Sequence, residues 1–389
     1  MQIYLDHSAT TPPHPDVITK VQTVLSQQWG NPSSLHAWGN RATTEIEIAR
    51  DEVAQLINAT TPETILFTSG GTESDNLALL GVADQYDSPQ HLIISSVEHS
   101  AIEQTAKRLE TRGWEVTRLP VDAKGRIHPW DLETAIQNNT VLVSIIYGQS
   151  EVGTLQPIAE LGRIARSKGV LFHTDAVQVA GKLPINVQHL PIDLLSLSGH
   201  KFYGMQGAGA LYVRSGLHLQ PLLTGGGQER KLRSGTQAVG AIAGLGVAAK
   251  LAQAEMATET PRLENLREQL FALLADCPYL IPTGDRTHRL PHHVSFCVKT
   301  PEETMTGKTL VRELNLAGIG ISAGSACDSG KLNPSPILSA MGYSEAMALG
   351  GIRLTLGRST TEADIKWTAM VLKQVLQRLI KEYFLVLAT

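Results

Sequence analysis

The sequence predicts an α/β fold, with a mainly parallel sheet in a large domain and a smaller α+β domain after it. Short β-branched runs alternate with helical segments from about Ile65 to Val213. Several of these runs are apolar almost throughout, which is typical of strands covered on both faces of a parallel sheet. After Gly240 the alternation ends and a long helical stretch begins, which indicates a second structural unit.

The elements of the large domain follow from these patterns in chain order. Strands are predicted at TILFTS, HLIISS, WEVTRL, TVLVSIIY, VLFHTD, DLLSLS and GALYVR. Helices are predicted at DNLALLGVADQY, AIEQTAKRLETR, PWDLETAIQ and PIAELGRIARSK, because apolar residues recur there at helical spacing. Such alternation places helices on both faces of the sheet. We expect this domain to span residues 12–257.

The small domain is expected to comprise residues 1–11 and 258–389. The long helical stretch that leads into it is predicted to be interrupted near Pro261. A strand at HHVSFCV, a helix around TLVRELNLAG, a strand at IRLTLG and a final helix from about Glu362 to Glu382 follow. The first ten or so residues are expected to cross to the active site or to the small domain.

The composition is that of an ordinary globular protein, with 42% hydrophobic residues, 18% charged residues and a formal net charge of -4 among 389 residues. The slightly acidic balance without a long Lys/Arg cluster argues against nucleic acid or a membrane surface as the main partner. No apolar run approaches the length of a membrane span, and no export signal is visible. Three widely spaced cysteines are typical of a reducing compartment, so we expect a cytoplasmic protein.

Three motifs carry candidate chemistry, and each has a plainer alternative. FTSGGTESDN, residues 67–76, is a strand, a Gly-rich turn and a helix start that could bind a phosphate, or could be an ordinary capped turn. Asp175 ends an apolar strand, where it could hold a protonated ring nitrogen or merely cap a helix. Lys201 follows another strand, where it could be a desolvated nucleophile or a solvated loop residue.

Taken together, the three motifs indicate a pyridoxal 5′-phosphate site. A phosphate cradle comes first, a carboxylate for the ring nitrogen follows about 100 residues on, and a lysine follows that carboxylate. This order is more specific than any one of the motifs.

Further motifs identify a family that the chain resembles. They are YLDHSATTP, GNPSSLHAWG, FTSGGTESDN, EHSAI, HTDAVQVAGKLPI, SLSGHKFYG, GGGQERKLRSGT, SAGSAC and IRLTLGR. In these the sequence resembles a cysteine desulfurase of the class V aminotransferase family, and its extended SAGSACDSGKLNPS loop is similar to the long-loop group of bacterial housekeeping and nitrogen-fixation desulfurases. The resemblance implies fold type I, a seven-stranded sheet, pyridoxal 5′-phosphate, and conversion of L-cysteine to L-alanine.

The resemblance also implies roles around the cofactor. Lys201 would bind it covalently and move protons, Asp175 would keep its ring nitrogen protonated, and His99 would stack on the ring and act as an acid or base. Gln178 would bond the ring hydroxyl. The phosphate would be held by Thr72, Ser198, His200 and the backbone of Gly71, joined by Thr236 of the neighbouring subunit in a homodimer.

On the substrate side, Arg353 would clamp the carboxylate, with Asn31 and the SATT segment nearby. The family pattern Asn-Asn-Glu is replaced by Gln149, Ser150 and Glu151, and Ser150 can make only part of the contacts of the longer amide.

Cys327 would attack the sulfur of the substrate and carry it as a persulfide to an Fe–S scaffold or another acceptor protein. Its small neighbours predict a mobile loop, whereas Cys277 and Cys297 lie in segments typical of core. Alternatives are a cystine C–S lyase or selenocysteine lyase on the same fold, in which Cys327 would be dispensable, and a non-catalytic regulator.

Overall fold

A computed structural model describes residues 2–299, 305–324 and 333–387, with side chains to residue 381. Cys327 and the predicted mobility of its loop therefore lie outside the described residues. The strands are β1 Ile3–Tyr4, β2 Ile65–Thr68, β3 His91–Ser95, β4 Glu115–Leu119, β5 Thr140–Ser144, β6 Leu171–Asp175, β7 Leu194–Ser198, β8 Gly209–Val213, β9 Leu280–Pro282, β10 His293–Val298, β11 Ile319–Gly320, β12 Ser322–Ala323 and β13 Gly351–Thr355. The helices are α1 Pro15–Gln27, α2 Ala37–Leu56, α3 Gly71–Ala83, α4 Ser100–Thr111, α5 Pro129–Ala135, α6 Ile158–Ser167, α7 Val239–Leu274, α8 Gly307–Leu316, α9 Pro336–Ala340, α10 Glu345–Leu349 and α11 Glu362–Leu387.

The central sheet has seven strands in the order β2-β8-β7-β6-β5-β3-β4. Neighbours from β4 to β7 are parallel, and β8 runs antiparallel to both β7 and β2. Six strands therefore point the same way, so their carboxyl ends share one edge. The predicted mainly parallel seven-stranded α/β fold is confirmed.

Both faces of this sheet are covered, as the apolar strands require. Ile65 and Phe67 face a core that contains side chains of α1, α2, α6 and the first half of α7. Leu66, one residue out of phase, faces a second core built with α3 and α4. Helices α1 and α2 were not predicted; α2 begins where His36 accepts the backbone N–H of Gly39 and buries an apolar stripe including Ile46 and Val53.

A second sheet, in the order β12-β13-β10-β9, is antiparallel. Its core contains side chains of the second half of α7, of α8 and of α11, and also Ile3 and Leu5 from the N-terminus. The N-terminal strand β1 pairs with β11, and the expected crossing of the first residues is thereby confirmed. The division into domains at residues 12 and 257 stays a prediction.

The expected interruption at Pro261 is wrong, because α7 is continuous from Val239 to Leu274. Proline removes one helical hydrogen bond and crowds the preceding turn. The two halves of α7 are, however, anchored independently: residues such as Leu245 pack into the core of the large sheet, and residues such as Leu270 pack into the core of the second sheet. Tertiary packing at both ends thus holds the proline inside one helix.

Candidate active site

A cavity of about 340 Å³ lies at the carboxyl edge of the central sheet, where the N-terminus of α3 and residues from the N-terminus of the chain and from β13 also meet. The predicted site residues that line it are Gly71, Thr72, His99, Ser150, Asp175, Gln178, Ser198, His200, Lys201 and Arg353. Ser8, Ala9, Asp75, Ile146 and Val177 complete the lining. This position follows from the topology, since parallel strands bring their carboxyl ends to one edge.

Lys201 ends a 3₁₀ turn, Gly199–Lys201, that directly follows β7. Its Nζ donates to the carbonyl oxygens of Ser8 at 2.8 Å and Ala9 at 2.7 Å. Burial and, less strongly, the charge of Arg353 lower the pKa of Lys201 to about 8. The amine is therefore deprotonated far more readily than an ordinary lysine, as a nucleophile requires.

Two buried carboxyl groups face the cavity. Asp175 is the last residue of β6, and its Oδ1 accepts the backbone N–H of Val177 at 2.9 Å. Burial raises the pKa of Asp175, while the nearby His99 and Lys201 oppose that shift. Burial and the charge of Asp175 hold the pKa of Asp75 well above its usual range. Asp175 accepts a backbone N–H and lies near His99 and Lys201, so it is the carboxylate placed to bind a cation, and its charge disfavours a negative charge on Asp75.

His99 lies next to these acids as the N-cap of α4. Ligand atoms of Asp75, His99 and Asp175 all lie within 4.8 Å of one another, a spacing that could also hold a metal ion. The Nδ1 of His99 accepts the backbone N–H of Ala101 at 3.2 Å, so a proton on this ring resides on Nε2. Lys201 and the anion-binding turn at the start of α3 line the same cavity. An organic cation therefore fits the side chains of Asp75, His99 and Asp175 better than a metal ion does.

The anion cradle is formed by the turn from β2 into α3. Gly70 has φ 156° and ψ −177°, a region that is essentially restricted to glycine. At Gly71 a Cβ would lie 2.7 Å from Cγ2 of Val177, so only glycine fits there. The backbone N–H groups of the first turn of the 13-residue α3 thus open toward the cavity, with Thr72 and Ser198 beside them.

His200 and Gln178 complete the predicted cofactor side. Burial and the charges of Lys201 and Lys182 lower the pKa of His200 to about 4, so it is neutral, with its Nδ1 3.1 Å from Oγ1 of Thr10. The amide nitrogen of Gln178 donates to the carbonyl of Ser8 at 2.9 Å. Its Oε1 is buried without a hydrogen-bond partner in the described part of the chain, which marks a position for a ligand donor.

Arg353 enters the cavity from β13, where it pairs in register with Ser322 of β12. Its guanidinium donates to Oδ1 of Asp6 at 2.6 Å and to the carbonyl of Ser150 at 3.0 Å. The buried Nε has no hydrogen-bond partner among the described residues. Ser150 therefore contacts Arg353 through its backbone.

Two predicted residues lie outside the cavity. Asn31 is exposed between α1 and α2, where its Oδ1 accepts the backbone N–H of Ser33 at 3.0 Å. Thr236 is exposed and does not line the cavity of its own chain. Cys327 lies outside the described residues, so all three roles stay predictions. Cys277 and Cys297 are buried free thiols, and their predicted core positions are confirmed.

Sequence reasoning missed three residues that shape the site: Asp6, Asp75 and Lys182. Lys182 is buried, donates to the carbonyl of Lys201 at 2.8 Å, and has its pKa lowered to about 7 by burial. The signal that could have found Lys182 is a lysine inside HTDAVQVAGKLPI, and the signal for Asp75 is an aspartate four residues after the double glycine.

No helix in the described part of the chain combines the length and apolar character needed to cross a membrane.

Residues 3–367 match the family model described as Aminotransferase class-V. The chain is 43% identical over 383 residues to "Cysteine desulfurase IscS" of Dictyoglomus turgidum, covering 97% of this chain and 95% of that protein. It is 44% identical over 378 residues to the protein of the same name from Methanosarcina thermophila, covering 97% and 92%. Among solved structures, a "NIFS-LIKE PROTEIN" superposes with a TM-score of 0.90 at 34% identity, covering 97% of this chain and 100% of that one.

Proposed function

The chain belongs to the aminotransferase class-V family, and we propose that it is a pyridoxal 5′-phosphate-dependent cysteine desulfurase that converts L-cysteine to L-alanine and carries the sulfur on Cys327. The observation that carries this is the meeting of a low-pKa lysine, a buried carboxylate, a helix N-terminus and an arginine in one cavity. Full-length similarity to proteins named cysteine desulfurase supports the reaction.

The residues present fit the cofactor. Its phosphate would occupy the N-terminus of α3 beside Thr72, Ser198 and the neutral His200, and its ring nitrogen would face Asp175. The unpartnered Oε1 of Gln178 marks a site for a polar ring substituent. When bound, the cofactor supplies an electron sink for the bond that breaks at the substrate Cα.

Lys201 has two tasks that its geometry supports. Its Nζ is the atom that would anchor the cofactor, and once free it would accept the proton from the substrate Cα. A pKa of about 8 leaves an appreciable fraction of neutral amine at neutral pH. The carbonyls of Ser8 and Ala9 hold the amine in the cavity whenever it is free.

Arg353 would bind the substrate carboxylate by exchanging partners. Asp6 now accepts from one of its nitrogens, and a substrate carboxylate would take the same planar fork. The carbonyl of Ser150 keeps the guanidinium oriented. His99, with its Nε2 available, would serve as an acid or base near the reacting centre.

Cys327 would complete the reaction. Its thiolate attacks the substrate sulfur, an S–S bond forms, and the C–S bond breaks. The electron pair of the broken bond stays on the substrate Cβ, which is then protonated, and the product leaves as alanine. A sulfur acceptor, such as an Fe–S scaffold protein, would then remove the persulfide sulfur.

A homodimer and a cytoplasmic location are part of this proposal. Exposed apolar side chains cluster around the α1–α2 connection, including Trp29 at 63% and Leu35 at 97% exposure, and they favour burial against a second subunit. Thr236, also exposed, would reach the phosphate of that subunit. The buried free thiols Cys277 and Cys297 favour a reducing compartment.

Mass spectrometry of the protein after exposure to L-cysteine tests the proposal. We expect 32 Da to be added to the peptide that contains Cys327, and we expect the variant Cys327→Ala to form no alanine above background. Full-rate alanine and sulfide release by Cys327→Ala would instead assign the chain to a C–S lyase. If the wild-type protein with bound cofactor forms neither alanine nor sulfide from L-cysteine, the chain would be assigned to a non-catalytic regulator.

A further inference from the structure

Three consecutive residues lie in the left-handed region of backbone conformation. Glu229, Arg230 and Lys231 have φ values of 44°, 55° and 67°. Residues with a Cβ are disfavoured there, and the surrounding structure must compensate for the strain. These residues lie in the segment 225–237, which begins at GGGQERKLRSGT and ends at Gln237.

A buried ion pair holds the strained residues in place. Arg50 of α2 donates from its two terminal nitrogens to the two carboxylate oxygens of Glu229, at 2.8 and 3.0 Å. The same carboxylate accepts the backbone N–H of Phe67 in β2 at 2.9 Å. Both side chains are almost completely buried, so removal of either partner would leave an unpaired buried charge, which is costly.

Glu229 also connects the ion pair to the far end of the segment. The amide nitrogen of Gln237 donates to its Oε1 at 3.2 Å. Arg233 donates to Glu73 at 2.8 Å, and Glu73 in turn accepts the backbone N–H of Ser69 in the turn of the anion cradle. The segment is thus fixed on both sides of Thr236.

Thr236 itself is left free between these contacts. It is exposed, and its hydroxyl makes no hydrogen bond within the described part of the chain. The preceding Gly235 has φ 111°, which turns the chain outward, and its N–H is held by Gln228 at 2.8 Å. The backbone on both sides of Thr236 is thus held by hydrogen bonds, while its hydroxyl stays free to bond a group from outside the chain.

We propose that Arg50, Glu229 and Gln237 form a clamp of positioning residues that holds Thr236 in the place where the neighbouring subunit's cofactor phosphate needs it. The inference rests on the proposed homodimer and on the proposed role of Thr236. Its consequence is that damage to the clamp in one subunit weakens cofactor binding in the other.

Heterodimers with two different affinity tags test this directly. One subunit carries Lys201→Ala, so that only the site of the other subunit anchors the cofactor covalently. Glu229→Gln is then placed either in the Lys201→Ala subunit or in the subunit with the intact lysine. The readouts are the absorbance of anchored cofactor during a pyridoxal 5′-phosphate titration and the mass of the borohydride-reduced subunit, neither of which depends on desulfurase activity.

With Glu229→Gln in the Lys201→Ala subunit, we expect cofactor binding to weaken about ten-fold or more, the effect of losing one hydrogen bond to a charged group. With Glu229→Gln in the other subunit, binding stays within about two-fold of the heterodimer that carries Lys201→Ala alone, because the intact partner supplies Thr236. Equal losses in both arrangements, or no loss in either, overturn the clamp.

Two further variants keep the result interpretable. Gln237→Ala leaves the buried ion pair intact, and we expect the same asymmetry from it if Glu229→Gln fails to fold. Thr236→Ala separates the clamp from the proposed role of Thr236. Asymmetry for Thr236→Ala without asymmetry for the clamp variants refutes the clamp alone, whereas equal effects of Thr236→Ala in both arrangements refute the proposed role of Thr236 as well. Glu103→Gln, which breaks a surface ion pair with Arg118, is the control and should change neither arrangement.

Discussion

Replacing Lys182 by methionine should stabilise the protein at neutral pH and destabilise it at alkaline pH. Burial, with a smaller contribution from the charge of Lys201, lowers the pKa of Lys182 from 10.5 to about 7. Methionine has a similar length and no charge, so the substitution removes the cost of the buried ammonium. It also removes the hydrogen bond to the carbonyl of Lys201.

The two effects have different pH dependence. The unfolded chain binds more protons at this lysine than the folded chain between pH 7 and 10.5, so the stability of the wild-type protein rises with pH across that window. The shift corresponds to a penalty of about 4 kcal/mol at pH 7 that falls below about 1 kcal/mol by pH 10. The unsatisfied carbonyl costs about 1–3 kcal/mol at every pH. Lys182→Met should therefore gain about 1–3 kcal/mol at pH 7 and lose about 0–2 kcal/mol at pH 10.

Denaturant midpoints measured between pH 6.5 and 10 check this crossover. Wild-type and variant proteins are compared at one protein concentration with cofactor in excess, because dimer formation and ligand binding both contribute to apparent stability. Lys250→Met is the matched control: Lys250 is exposed and pairs with Glu52 at the surface, so its variant should show no crossover. A Lys182→Met midpoint below that of the wild type at pH 7 would contradict the assigned cost of the buried ammonium group.

Two further predictions concern the acid pair and the strained segment. Because the charge of Asp175 disfavours ionisation of Asp75, Asp75→Asn should keep the affinity for the cofactor within about two-fold, whereas Asp175→Asn should weaken it by about ten-fold or more. Absorbance titrations with the cofactor measure both affinities, and equal effects would contradict the assignment of the charge to Asp175. Because Lys231 has φ 67°, the free energy of unfolding should be about 1–2 kcal/mol higher for Lys231→Gly than for Lys231→Ala. Thermal unfolding of the two variants measures this difference, and a more stable Lys231→Ala would argue against strain at this position.

Much of the fold could be predicted because its signals are local. Each of the seven predicted strands is present, since a run such as that of β7, buried throughout, has no other stable environment than the middle of a covered sheet. The helix α7 could not be predicted in full, because two separate cores outside the helix compensate for Pro261. Helices α1 and α2 were missed because their burial depends on α7, more than 180 residues away along the chain.

The candidate site divides in the same way. The order of glycine turn, aspartate and lysine along the chain was enough to indicate the cofactor, and the topology explains why these residues converge. What the sequence alone determined is therefore the strand pattern, the family and the identity of the reactive groups. The hydrogen bonds of Ser8 with Lys201 across 193 positions and of Asp6 with Arg353 across 347 follow only from tertiary packing, as does the placement of Asp75 within 4.8 Å of Asp175. Hydrophobic periodicity specifies which face of an element is buried, whereas the pKa of a lysine or carboxyl group depends on how deeply the packed chain buries it and on the charges that distant segments place beside it.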